Sequence, residues 1–139
     1  MNNLTKAKEI LQNGGFTCVL TAGENVYTSN KRGVKPLLCW YESGEDYKGF
    51  SAADKVVGKA AAFLYVLLGI KEVYADVISE HALCVLKQNG VFVTYGELVP
   101  AIRNRTNTGF CPMETVTMNI TDPKNAVGAI KKALEGLVK

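Results

Sequence analysis

The densest block of hydrophobic residues lies in the middle of the chain, at residues 50–70 (FSAADKVVGKAAAFLYVLLGI). Its second half, residues 60–68, is apolar on every side, which is typical of a buried helix. Ser51 and Asp54 have the spacing of a short capping box, and Gly69 suits a helix end because glycine adopts the left-handed conformation without strain. We therefore predict a central helix over residues 50–70. Its first turns carry four candidate site residues, which are Ser51, Asp54, Lys55 and Lys59.

Shorter periodic segments flank this block on both sides. Apolar residues at helical spacing predict helices, whereas alternation and short apolar runs predict strands. The predicted helices cover residues 2–13, 80–89 and 121–139, and the predicted strands cover residues 16–22, 25–29, 72–78 and 91–95. Strands separated by helices require crossover connections. We therefore predict a single α/β domain over residues 1–139, a three-layer α/β/α sandwich with a mixed sheet.

The least regular segment, residues 31–49, mixes turn formers and charges with aromatic residues. We predict a long loop here, and such loops often border ligand pockets. Trp40 and Tyr41 could stack on a planar ligand, but the favoured interpretation is that they cover an edge of the sheet.

Composition mainly excludes classes of function. The 139 residues carry a net charge of +3, which does not by itself indicate nucleic acid, the least favoured partner. The longest apolar run is far shorter than the roughly 20 residues of a membrane-spanning helix, so we expect no membrane partner. The N-terminus lacks the apolar block of a signal peptide, and a cytoplasmic location is the default expectation. Four widely spaced cysteines are typical of free thiols in a reducing compartment.

A second candidate site lies further along the chain, around Cys111. Pro112 follows it directly and favours a helix start, so the thiol could sit at a helix N-cap. The helix dipole and the nearby Arg103 and Arg105 would then make the thiol more acidic. A buried cysteine at a tight turn is the favoured interpretation of Cys111.

His81 and Cys84 are three residues apart on the predicted helix over residues 80–89 and could face one another. Two ligands do not make a zinc site, so we predict no metal site and no cofactor. Cys84 stands among apolar neighbours and is predicted to lie in the core.

Three stretches resemble a known family: ADKVVGKAAA (residues 53–62), ELVPAIRNR (residues 97–105) and GFCPME (residues 109–114). On these motifs the chain resembles the prokaryotic family called domain of unknown function 1893. The order of its elements is similar to that of the cytidine-deaminase-like fold. The family has no established activity, so the resemblance implies a fold and no reaction.

Zinc-dependent deaminases carry an H-x-E or C-x-E motif at the start of the central helix and a P-C-x-x-C motif at a later helix. Here Ala52 and Ala53 precede Asp54 at the predicted helix start, so the resemblance puts Asp54 where the deaminase glutamate would be. Residues 78–82 (ISEHA) replace the second motif and contain no cysteine pair. The resemblance therefore implies a deaminase-like domain that lacks the zinc ligands.

The leading hypothesis is a small-molecule-binding domain, or a non-zinc enzyme, whose deaminase-like pocket holds an anionic or nucleotide-like ligand. Asp54 would accept hydrogen bonds from the ligand, and cationic side chains and helix N-termini would hold its negative charge. The candidate ligand-binding residues are Ser51, Asp54, Lys55, Lys59, Ser79, Arg103, Arg105, Cys111 and Glu114, and the catalytic candidates are Asp54, Lys55 and Cys111. Two alternatives stay open: a thiol-dependent enzyme or redox sensor centred on Cys111, and a structural or homo-oligomer-forming module without catalysis.

Overall fold

The computed structural model describes residues 2–31, 34–102 and 116–138. Helices and strands alternate along most of this part of the chain. In chain order they are α1 (Asn3–Gly14), β1 (Cys18–Ala22), β2 (Asn25–Ser29), α2 (Lys35–Glu42), β3 (Ser51–Val57), α3 (Lys59–Leu68), β4 (Glu72–Ser79), α4 (Glu80–Gln88), β5 (Phe92–Val99) and α5 (Pro123–Val138). No helix among these residues is both long enough and apolar enough to span a bilayer.

The described strands form one mixed sheet in the order β2-β1-β3-β4-β5. Strand β1 pairs antiparallel with β2 on one side and with β3 on the other. Strands β3, β4 and β5 run parallel to one another. Parallel neighbours require crossover connections, and α3 and α4 provide them.

Helices cover the sheet on both faces. On one face, Ala7 and Leu11 of α1 pack against Val19, Ala53 and Tyr74 of three adjacent strands. The opposite face carries the larger core, centred on α3, which contacts α2, α4 and α5. These layers confirm the predicted α/β/α sandwich with a mixed sheet.

The predicted helix over residues 50–70 is wrong in its first half. Residues 51–57 form strand β3, and helix α3 begins only at Lys59. Gly58 separates the two elements, since its extended backbone (φ −97°, ψ −179°) makes it the N-cap of α3. Strands β1 and β4 both pair with β3, and such tertiary pairing overrides the helix propensity of individual residues. The predicted helix end is confirmed, because Gly69 caps α3 in the left-handed conformation.

The predicted loop over residues 31–49 is wrong in part, because it contains helix α2. Pro36 lies in the first turn of α2, where a missing backbone N–H leaves no hydrogen bond unmade. The ring of Trp40 lies 6.3 Å from that of Tyr47, which lies 5.2 Å from the ring of Tyr27 on β2. These contacts place Trp40 beside the β2 side of the sheet, in agreement with the favoured interpretation.

Cys84 does not lie in the core as predicted, because its side chain is exposed on α4. The buried side of α4 consists of Ala82, Val85 and Leu86, whose spacing of three and four residues defines one helix face. Cys84 lies two residues after Ala82 and therefore points away from that face.

We expect Gly69→Ala to destabilise the protein more than Gly15→Ala. Both glycines cap helices in the left-handed conformation, at φ 77° and 71°, so either substitution costs about 1–2 kcal/mol in backbone strain. A Cβ on Gly69 would also lie 3.2 Å from the Cα of Lys48, whereas one on Gly15 would meet nothing within 4 Å. Urea unfolding of both variants measures how much free energy of unfolding each one loses. Equal losses would show that Lys48 moves away from the new Cβ at no energetic cost.

Candidate functional site

The most unusual polar side chain in the described part of the chain is Asp54, in the middle of β3. It is the last of four consecutive buried residues and is 6% exposed, while the next two residues, Lys55 and Val56, are exposed. Strand β1 begins at Cys18, directly opposite Asp54, so the β1–β3 ladder ends at this level. Asp54 is followed by two exposed residues, after which the strand is buried again at Val57.

Tyr65 is the main partner of this carboxyl group. The Tyr65 hydroxyl, on the second turn of α3, donates to Oδ2 of Asp54 at 2.7 Å. The backbone N–H of Val56 donates to Oδ1 at 3.3 Å. The Tyr65 oxygen also lies 3.1 Å from Sγ of Cys18. Because the single hydroxyl proton is directed at Asp54, the Cys18 thiol is the donor in this second contact.

Burial controls the protonation of all three groups. Loss of solvent raises the pKa of Asp54 from 3.8 to about 7, against the opposing effect of the hydrogen bond from Tyr65 and those from the backbone of Val56 and Lys55. Burial likewise raises the pKa of Cys18 and of Tyr65 well above their ordinary values. At neutral pH the thiol and the phenol therefore stay protonated, while Asp54 can both accept and release a proton.

The carboxyl ends of β3 and β4 place two further predicted site residues near each other. Val57 and Ile78 pair at the ends of these parallel strands, so the chain leaves both strands at one edge of the sheet. Lys59 opens α3 just beyond this edge, and its ammonium group donates to the backbone carbonyl of Met118 at 2.8 Å. Ser79 caps α4, and its buried hydroxyl accepts from the backbone N–H of Ala82 at 3.1 Å.

Asp54 is the central residue of β3, three residues from either end of the strand. At a rise of ~3.3 Å per residue, its Cα is roughly 10 Å inside the edge that Lys59 and Ser79 flank. Lys59 and Ser79 thus lie at the carboxyl ends of β3 and β4, and Asp54 lies deeper in the sheet on the first of these strands.

Ser51 and Lys55 do not join this group. Ser51 begins β3, pairs with Glu72 at the opposite edge of the sheet and donates its hydroxyl proton to the Glu72 carboxylate. Lys55 follows Asp54 directly on an extended strand, so its exposed side chain points to the other face. The expected convergence of these residues depended on the helix predicted for residues 50–70, in which they would share its first turns.

The correspondence between Asp54 and the deaminase glutamate is wrong for the same reason, since it assumed that a helix begins at Asp54. Asp54 is a strand residue, and the helix start after β3 consists of Gly58, Lys59 and Ala60. His81 and Cys84 are both exposed on α4. Among the residues that the structure describes, no three His, Cys, Asp or Glu side chains lie close enough to share a metal ion.

Four predicted site residues lie outside the described ranges, and their roles stay predictions. These residues are Arg103, Arg105, Cys111 and Glu114.

Sequence reasoning missed Tyr65 as a site residue. One signal for it exists: Tyr65 carries the only polar side-chain atom between residues 60 and 68, and a buried phenol needs a hydrogen-bond partner. Cys18, the third member of this cluster, is buried.

A shallow cavity of about 350 Å³ lies elsewhere, at the opposite end of α3. Its walls include Tyr41, Asp46 and Gly69. Tyr41 was considered above for stacking on a planar ligand, whereas none of the candidate ligand-binding residues around Asp54 lines this cavity. This cavity is therefore separate from the buried ionisable groups around Asp54, and perturbed ionisable groups are the stronger sign of a functional site.

By its fold the protein is an α/β/α sandwich with a buried carboxyl group in the central strand of a mixed sheet. The model of the family called domain of unknown function (DUF1893) matches residues 6–134, so the chain belongs to the DUF1893 family.

One solved structure agrees with this assignment. A DUF1893 family protein from Thermotoga maritima is similar over 94% of this chain and 89% of its own, with 25% identity and a TM-score of 0.87. A diaminohydroxyphosphoribosylaminopyrimidine deaminase/5-amino-6-(5-phosphoribosylamino)uracil reductase from Thermotoga maritima is 13% identical over 83% of this chain and 40% of its own. Its TM-score of 0.43 is too low to support a conclusion about fold or activity. No curated protein matches the sequence.

We expect the thiols to differ in reactivity. Cys39 and Cys84 are exposed, whereas Cys18 is buried and its pKa is raised by that burial. Because the thiolate is the nucleophile, iodoacetamide at neutral pH should modify Cys39 and Cys84 at least roughly tenfold faster than Cys18. Peptide mapping by mass spectrometry measures each rate, and unfolding in urea should bring the rates together. Equal rates in the folded protein would contradict the burial of Cys18.

We also expect Asp54 to make stability depend on pH. Its folded-state pKa of about 7 exceeds the unfolded value of 3.8, so its stabilising contribution is fully present below about pH 4 and is lost as pH rises through about 7. Between these values the free energy of unfolding should fall by up to about 1.4 kcal/mol per pH unit relative to Asp54→Asn.

Urea unfolding at several pH values measures this difference between wild type and Asp54→Asn. Asp76→Asn is the matched control, since it removes one carboxylate from the neighbouring strand and leaves Asp54 in place. The fall of the free energy of unfolding with pH should persist in Asp76→Asn. It should occur at slightly lower pH, because the Asp76 charge helps to raise the pKa of Asp54. Parallel pH curves for wild type and Asp54→Asn would show that Asp54 titrates normally.

Proposed function

We propose that this DUF1893 domain binds a small anionic or nucleotide-like molecule at the carboxyl ends of β3 and β4, and that Asp54 recognises this molecule through hydrogen bonds. The single observation that carries the proposal is the Asp54 carboxyl group, which is 6% exposed and accepts a hydrogen bond from Tyr65 directly before two exposed residues of β3. A carboxyl group buried in a central strand is a candidate for function because a stable core is better served by an apolar residue there.

The protonation of Asp54 favours a ligand that offers both donors and acceptors. Near neutral pH the carboxyl group exists in both forms, so it can accept from an amino group and donate to a ring nitrogen or a carbonyl oxygen. The polar edge of a nucleobase presents such groups side by side. Because Asp54 is only 6% exposed, only a small, flat part of a ligand could reach its carboxyl group.

Positive potential near the same edge favours a ligand with negative charge. Lys59 brings an ammonium group to the first turn of α3. The N-termini of α3 and α4 both lie at this edge, and helix N-termini attract anions through their free N–H groups and the helix dipole. A nucleotide fits both features, because its base could hydrogen-bond to Asp54 and its phosphate could bind near Lys59 and the helix N-termini.

A thermal-shift screen tests the proposal, with cytidine, adenosine, their 5′-monophosphates, ribose 5-phosphate and inorganic phosphate as probes. A ligand at 100 times its dissociation constant should add about 2.7 kcal/mol to the free energy of unfolding. We expect a nucleotide to stabilise the wild type, Asp54→Asn to weaken the response to the base, and Lys59→Gln to weaken the response to the phosphate.

Lys55→Gln is the matched control for Lys59→Gln, because it removes an exposed lysine of the same strand–helix unit whose side chain lies on the other face. Its ligand response should equal that of the wild type. A nucleotide response that survives Asp54→Asn, or silence across the whole panel, would contradict the proposal.

A further inference from the structure

Strand β5 forms one border of the sheet in the described part of the chain. Only β4 pairs with it there, over a register that runs from Phe92 to Val99. Natural edge strands are usually protected by charges, proline, bulges or shortness. Strand β5 is eight residues long and carries one charge, Glu97, and no proline. These properties suit a strand that receives a further strand on its outer side.

The exposed side chains of β5 are unusually apolar for an edge. Phe92 is 55% exposed, Tyr95 41% and Leu98 39%. The opposite border strand, β2, has five residues, and its Tyr27 ring is in contact with the rings of Tyr47 and Phe50. Of the two borders, β5 therefore exposes the longer and less covered apolar surface.

The three exposed apolar residues are arranged symmetrically along β5. Phe92 lies three residues before Tyr95, and Leu98 lies three residues after it. In an antiparallel pair centred on Tyr95, Phe92 of each copy would face Leu98 of the other, and the two Tyr95 side chains would face each other. Directly opposed residues share a face of the sheet, so each apolar side chain would find an apolar neighbour.

The same register also separates the charges. Glu97 of one copy would lie opposite Val93 of the other, rather than opposite a second carboxylate. A two-fold interface requires a surface that is complementary to itself, and this pattern of residues meets that requirement.

We propose that two copies of this chain pair their β5 strands antiparallel around a two-fold axis at Tyr95, which joins their sheets into one. The partner is thus a second copy of the chain, and the interface is independent of the ligand site proposed above.

Sedimentation analysis of the purified protein tests the assembly. The protein is used at a concentration on the order of 100 µM, because small interfaces associate in this range. We expect wild type to sediment as a dimer. Tyr95→Lys would oppose two ammonium groups across the axis and should raise the dimer dissociation constant at least tenfold. Val26→Lys, which changes an apolar residue of similar exposure on β2, should leave it unchanged. A monomeric wild type, or a dimer lost in Val26→Lys and kept in Tyr95→Lys, would overturn the proposal.

Disulfide trapping tests the register without relying on a destabilising substitution. In a background with Cys39, Cys84 and Cys111 changed to serine, Tyr95→Cys would bring two Cα atoms to about 4.5–5.5 Å, within disulfide range. Phe92→Cys would leave its two thiols roughly 20 Å apart. We expect oxidation to cross-link the Tyr95→Cys variant alone. Cross-linking of the Phe92→Cys variant instead, or of neither, would overturn the register.

Discussion

The structure depends on the complete enclosure of the first half of strand β3. Strands β1 and β4 flank it within the sheet, α1 covers one face and α3 the other. Every polar side chain in this half must therefore find a partner inside the protein, because an unsatisfied buried group costs about 1–3 kcal/mol. Ser51 meets this requirement through Glu72, and Asp54 meets it through Tyr65. The second bond ties α3 to the sheet at one defined position along the helix.

The same strand determines where the candidate site can form. Because β3 and β4 are parallel, α3 must return across the sheet and begin at their carboxyl ends. Gly58 is the single residue between β3 and α3, so Lys59 is held close to the end of the strand. The next crossover places Ser79 at the same edge. The placement of Lys59 and Ser79 at one edge, with Asp54 deeper on the same strand as the Lys59 connection, thus follows from parallel pairing and a very short connection.

Local patterns were sufficient for most elements and failed where pairing decides the outcome. The N-terminal helix, the hairpin, the caps at Gly69 and Ser79 and the mixed sheet could all be predicted from periodicity and capping residues. Residues 51–57 could not, because alanines and a capping-like Ser51–Asp54 pair fit a helix start as well as a strand. The choice between them is made by β1 and β4, which lie far away in sequence.

The composition of the site depends even more on distant contacts. Tyr65 contacts Asp54 across 11 residues and Cys18 across 47, and no local spacing relates these three positions. Asp54 could be selected from the sequence because it is the one acidic residue in the apolar block over residues 50–70. Its environment could not be predicted, since the predicted helix start would have left the carboxyl group solvated and acidic. The raised pKa arises mainly from burial, with a smaller contribution from the Asp76 charge.

Pairing through β5 would leave the ligand site open in both copies. An antiparallel arrangement of the two β5 strands also makes the β3 and β4 strands of the two copies antiparallel, so their carboxyl ends lie at opposite edges of the joined sheet. Each site would then be bounded by its own chain alone, and Asp54, Lys59 and Ser79 lie on other strands and helices than the paired one. Assembly and ligand binding should consequently respond to different substitutions. Neither property requires the other, because the enclosed strand β3 fixes the site within a single copy.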